Sequence, residues 1–169
     1  ARAIPYAPAY PLWSSGSDKE RFLVLPPDTT IDNAPGQDWS FPAGTLLFKT
    51  FSFTDSAGAP RPVETRLIRA MEDGEWDYAV WRWNDLGTDA DLLELKKTVP
   101  VQVTNAAGDS LEHVIPNRLQ CRKCHEAEPA IVLGVSELQL ASADHEAHGN
   151  ALEALHVRGA LSQPAPEFP

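Results

Sequence analysis

The chain is poor in sulfur, with two cysteines and one methionine among 169 residues. A second cysteine pair is missing, which argues against a four-ligand zinc site built from paired groups. His145 and His148 are three apart and form the one histidine pairing that could stand in. Basic residues are also scarce: 14 Lys and Arg face 24 Asp and Glu, a formal net charge of −10. Phosphate binding needs a basic face, so nucleic acid is not the expected partner. No stretch reaches the roughly 18 apolar residues that a membrane-crossing helix requires. Internal repeats are absent. A βα alternation after the cysteines is absent too, which argues against a thioredoxin-like redox dithiol.

What is present is concentrated in five residues, Cys121-Arg-Lys-Cys124-His125. Two thiols one helical turn apart can add to the two vinyl groups of one porphyrin, and the next residue offers an imidazole to its iron. The motif therefore predicts one covalent haem c, with Cys121 and Cys124 as attachment points and His125 as the proximal metal ligand. A redox dithiol, half a zinc site and a plain disulfide, strained at this spacing, are the competing readings. Haem attachment to such a motif takes place outside the bacterial cytoplasmic membrane. The expectation is a periplasmic or otherwise exported protein whose leader has been removed. The acidic balance suits docking to a basic patch on a redox partner, and equally suits solubility alone.

The pattern preceding the motif is mostly β. Short strands are expected over Arg21–Leu25, Thr45–Thr54 and Val63–Met71. Asp73-Gly74 predicts a tight turn into Trp76–Trp83, and Asn105 to Asp109 another between Val99–Thr104 and Leu111–Ile115. Asn117 is placed to cap a short helix carrying the motif. Further helices are expected from Ser136 to about Ala141 and from Asn150 to Val157, the latter stopped by Gly159. The predicted fold class is thus α+β: a β-rich antiparallel sheet with a late haem helix and two short C-terminal helices. Residues 1–16 read as an extended proline-rich arm on the domain surface, 17–162 as the haem domain, and 163–169 as a proline-rich tail.

Two resemblances follow from quoted stretches. Phe41-Pro-Ala-Gly-Thr-Leu-Leu-Phe-Lys49, Gly74-Glu-Trp76-Asp-Tyr78 and Cys121–His125 resemble the β-rich mono-haem family of cytochrome P-460 and cytochrome c′-beta. That family places its haem motif late, behind an antiparallel sheet covering the distal haem face. A closer similarity is to an uncharacterised family of exported bacterial mono-haem cytochromes c, often found beside quinoprotein-like sugar dehydrogenase modules. It rests on Pro11 to Lys19, Phe41 to Thr45, Glu64 to Leu67, Ile115 to Arg118 and Leu133 to Leu140. The first resemblance implies that Lys49 matches a lysine cross-linked to haem in hydroxylamine oxidation. On its own residues, Lys49 reads equally as a lysine whose stem lies on an apolar strand face while its head reaches solvent.

The sixth iron position decides between functions. A strong second ligand makes an electron carrier, and an open or weakly held position makes a gas-binding or catalytic site. His113 is the first candidate, with Met71, His145, His148, His156 and no protein ligand as alternatives. Arg66, Arg69, Arg82 and Arg118 could pair with the haem carboxylates, and Arg118, nearest the motif, is preferred. The five tryptophans read as core and pocket packing. The expected function is single-electron transfer with another redox protein, such as a dehydrogenase or a larger complex. One alternative is a five-coordinate haem under an aromatic lid of Phe48, Phe51 or Phe53, binding nitric oxide or oxidising a small nitrogen compound. Another is a haem-bearing subunit of a larger assembly.

Overall fold

The computed structural model describes residues 3–54, 58–127, 130–140 and 151–164. The strands are β1 (Ile4–Pro5), β2 (Asp18–Val24), β3 (Leu46–Thr54), β4 (Pro60–Ala70), β5 (Trp76–Trp83), β6 (Ala90–Leu92), β7 (Val99–Thr104) and β8 (Ser110–Ile115). Three short helices follow: α1 (Arg118–His125), α2 (Glu137–Leu140) and α3 (Ala151–Val157). The result is a β-rich antiparallel sheet with a few short helices, an α+β arrangement. Strands β1 to β6 pair in sequence order, and the β7–β8 hairpin joins through a single pairing of Thr54 with Thr104.

Strand alternation explains which side is buried. In β3, Leu47, Phe51 and Phe53 turn inward with Lys49 in the same row, while Phe48, Thr50 and Ser52 lie on the other face. The register slips between Phe51 and Ser52, so Val63 is an extra residue in β4. Such a bulge breaks the two-residue alternation. Val63 and Glu64 are accordingly both buried, at 3% and 0% exposure, although they are consecutive. Pro60 and Pro62 are tolerated in β4 because the pairing with β5 begins only at Glu64.

Two hydrophobic clusters result. One joins Leu23 and Leu47 of the sheet to Ile4, Leu140, Leu152 and Leu155. The other joins Phe53, Val63, Val80 and Ile115 to Cys121 of α1.

The helix termini carry recognisable stops. Asn117 Oδ1 accepts the Gln120 backbone N–H at 3.0 Å, and Gln120 Oε1 accepts the Asn117 N–H at 3.0 Å. This reciprocal pair fixes where α1 begins, and hence where Cys121 and His125 fall. Helix α3 ends at Gly159, whose φ of 65° lets its own N–H reach His156 O while the Ala160 N–H reaches Leu155 O.

Two expectations need correction, and strand β6 was not expected. The amino-terminal segment is not a surface arm throughout: β1 pairs with β2, and Ile4 and Tyr6 are each only 6% exposed in the core. Strand β6 is short and mostly exposed, so it carries little hydrophobic signal. Strands β2 and β4 begin three residues earlier than their apolar runs, extended by ladder pairing of polar residues and prolines. Residues 165–169 of the proline-rich tail lie outside the described residues.

Asn117→Ala removes one half of the cap and should cost about 1 kcal/mol. Denaturant unfolding should show a lower midpoint with an unchanged slope.

Candidate functional site

Helix α1 and the inner face of the sheet enclose a cavity of about 450 Å³. Cys121, Cys124 and His125 line one side, and Arg21, Lys49 and Arg66 line the sheet side. Tyr10, Leu12, Trp13 and Leu133 also line it, and all four are exposed. A larger cleft of about 630 Å³ lies beside it, walled by Trp39, Phe41 and Trp76. Residues 132–134 line both spaces. Only the smaller cavity contains the motif residues.

The His125 ring is fixed through one of its nitrogens. Its Nδ1 lies 2.7 Å from the Ile131 carbonyl oxygen. A carbonyl can only accept, so Nδ1 carries the proton and Nε2 keeps its lone pair. Burial lowers the pKa of the ring, and the nearby Lys49 and Arg66 charges lower it further against the opposing pull of the Ile131 bond. The imidazole is therefore neutral at neutral pH. Tyr78 packs on it with ring centres 5.9 Å apart.

The two thiols are unbridged, Cys121 buried and Cys124 exposed. Burial is the largest influence on Cys121 and raises its pKa. A redox dithiol has the opposite requirement, a thiolate stabilised at a helix N-terminus or by a cation. Here Cys121 is the fourth residue of α1 and Cys124 lies in its last turn. Among the described residues, no three His, Cys, Asp or Glu side chains converge on one point.

The sheet side is cationic. Arg21 pairs directly with Lys49, and Lys49 with Arg66, in adjacent strands. Burial is the main influence on Lys49, and with the charges of Arg21, Arg66 and Lys19 it brings the ammonium pKa down to about 7. Its Nζ lies 4.9 Å from the centre of the Phe51 ring, and the Arg66 guanidinium carbon 4.2 Å from it. Glu64, fully buried, accepts from Arg66 Nε at 2.8 Å and Nη2 at 2.6 Å. Burial alone would raise its pKa, yet the hydrogen bonds from Arg66 and His113 hold it below the usual carboxylate range.

His113 does not line the cavity. Its ring packs on Phe53, with centres 4.9 Å apart, and its Nε2 lies 2.7 Å from Glu64 Oε1. A carboxylate accepts, so that nitrogen is committed as a donor rather than offered to a metal. This arrangement does not offer that nitrogen as the expected sixth ligand. Arg118 also stands outside the cavity lining, with Nη2 on Asp77 Oδ1 at 2.6 Å. Arg66 alone of the four candidate arginines lines the cavity. Met71 is not on the lining either, and His156 is exposed on α3. His145 and His148 lie outside the described residues. Of the three expected lid aromatics, Phe51 lines the cavity from the inner face, Phe48 of the opposite row also borders it, and Phe53 belongs to the second hydrophobic cluster.

Arg21 and Tyr6 escape a sequence reading. The signal for Arg21 is its two-residue spacing from Leu23, which puts it on the inward face of β2. Tyr6 is buried, its phenol pushed up to about 12 chiefly by that burial. Comparison with protein-family models, curated proteins and solved structures finds no match.

Lys49→Met should stabilise the haem-free chain. The folded pKa of Lys49 is depressed, so the unfolded chain takes up its proton first as pH falls below about 10.5. The penalty grows until pH reaches about 7 and is constant below it. Calorimetry at neutral pH should show a gain on the order of 2 kcal/mol. That gain should vanish in strongly alkaline buffer.

Proposed function

We propose that the chain is an exported mono-haem c-type cytochrome that passes single electrons. The observation carrying the haem part of this reading is the placement of His125. A neutral imidazole with its lone pair on Nε2 stands on the same cavity as two unbridged thiols in the motif spacing. The donor set fits haem better than its rivals. A closed zinc site wants convergent ligands, and a redox dithiol wants a lowered thiol pKa. The cavity size falls within the range of cofactor sites. Exposed Tyr10, Leu12, Trp13 and Leu133 offer apolar surface to a flat ligand. Cys121 and Cys124 would hold the porphyrin through thioethers and His125 would ligate the iron. The bound haem would supply a one-electron couple. The Ile131 carbonyl orients the ligand ring, as partners of metal-bound histidines do.

The acidic surface supports a basic redox partner, such as a dehydrogenase or a larger complex. A location outside the cytoplasm follows from the attachment chemistry rather than from any feature of the fold.

One observation favours a second reading. Among the described residues, the cavity lining has no imidazole besides His125 and no methionine. An iron held from one side only binds nitric oxide or acts on a small nitrogen compound, the role implied by the cytochrome c′-beta resemblance.

Production in a host that attaches haem to such motifs tests both readings. Covalent haem should appear as added mass and a Soret band, and should be lost in the Cys121→Ser, Cys124→Ser double variant. Low-spin bands indifferent to carbon monoxide and nitric oxide would support the carrier. A high-spin spectrum that shifts with either gas would support the open site. His113→Ala should leave the spin state unchanged and cost about 1–3 kcal/mol, because it strips a partner from buried Glu64. A conversion from low to high spin in that variant would restore His113 as a ligand.

A further inference from the structure

A row of three cations crosses the inner face of the sheet, and of the three Arg66 has a carboxylate partner. Arg21, Lys49 and Arg66 are direct cross-strand neighbours and all line the cavity. Like charges directly opposite on a sheet are destabilising, and partial burial strengthens the repulsion. Glu64 is the carboxylate at this row, and it is already taken by Arg66 and His113. Among the described residues, neither Arg21 nor Lys49 forms an ion pair. The polar contact of the Arg21 side chain is with the Lys19 carbonyl oxygen at 3.4 Å. Arg21 is nevertheless only 8% exposed. A chain with net charge −10 thus gathers three positive side chains around one enclosed space. An anion against this wall would supply the counter-charge that Arg21 and Lys49 lack.

We propose that Arg21, Lys49 and Arg66 form a carboxylate-binding wall that takes the acidic side chains of the haem, with Glu64 and His113 as positioning residues that hold Arg66 on it. The proposal rests on the haem reading and replaces Arg118 in the role expected of it. Guanidinium groups suit carboxylates because their planar forks match two oxygens. Arg66 is pre-set by its two bonds to Glu64, and the bond from His113 to the same carboxylate fixes Glu64 in turn. A small free carboxylate shares the same chemistry, so the test separates the two sources.

The full chain carrying covalent haem is compared with Arg21→Gln, Lys49→Met and His113→Gln in mildly acidic buffer, with and without added acetate. Removing a positive charge near the iron favours the more positive ferric state. Arg21→Gln and Lys49→Met should each keep the haem and shift the reduction equilibrium several-fold toward ferric; a tenfold shift is about 59 mV. The infrared carboxylate bands of the reduced-minus-oxidised difference spectrum should move in the same variants. His113→Gln should shift the potential in the same direction without changing the spin state. Unchanged potentials and bands in both wall variants would overturn the proposal. An acetate response in the wild type that the wall variants lose would overturn it in favour of a free-anion site. An unchanged potential in His113→Gln, with lowered stability, would remove His113 from the positioning role. Failure of the wild type to acquire haem would overturn the haem reading itself, by mass and Soret absorbance rather than by potential.

Discussion

The arrangement of this site depends on Glu64. It is completely buried, and it is the counter-charge for a guanidinium and the acceptor for a buried imidazole. An isolated buried carboxylate would neutralise itself by taking up a proton. Two bonds from Arg66 and one from His113 instead keep it ionised. Removing Arg66, its charged partner, would cost about 3–5 kcal/mol, more than the assembled group contributes to stability. The network is therefore better understood as a device for holding Arg66 than as a source of stability. Its origin is one irregularity in the sheet. The bulge opposite Phe51 and Ser52 turns both Val63 and Glu64 inward, sending one to the hydrophobic cluster and the other to the charges.

That charged row belongs to neither hydrophobic cluster, while Trp76 packs against both. Leu23 and Leu47 pack with α2 and α3 on one side, and Phe53 and Val80 pack with Cys121 on the other. Lys49 sits between Leu47 and Phe51 in β3, at the position where neither cluster continues. The cavity occupies this interval because a cationic row cannot be covered by apolar side chains at tolerable cost. Helix α1 then brings its last two turns over the same interval, with its start set by the Asn117–Gln120 cap. One sheet irregularity and one helix cap together place the motif residues opposite the cations.

Much of this fold was legible in the sequence. The alternation of Leu47, Lys49, Phe51 and Phe53, the Asp73-Gly74 turn, the Asn117 cap and the Gly159 stop all depend on near neighbours in the chain. Interactions between distant segments were not legible. Ile4 pairs with Leu23, and Arg21 meets Lys49, only through strand pairing. The bulge in β4 is likewise a property of two strands, so the inward turn of Glu64 had no local signature. Arg118 shows how nearness in sequence and contact in space diverge. It is three residues from Cys121, yet it turns to Asp77 of β5.

His113 and His125 show how two residues of one type are set in different surroundings. Each ring has one nitrogen committed at 2.7 Å, but to different acceptors through different atoms. His125 uses Nδ1 on a backbone carbonyl, and its ring lines the cavity. His113 gives Nε2 to a carboxylate and turns its ring against Phe51 and Phe53. The two histidines thus serve opposite walls of one space: the first offers a lone pair from α1, and the second steadies an arginine on the sheet. A ligand meeting both walls needs a centre that accepts an electron pair and an edge that carries negative charge. Haem has both, with its iron at the centre and its carboxylates at the rim, which joins the reading of the motif to that of the cationic row.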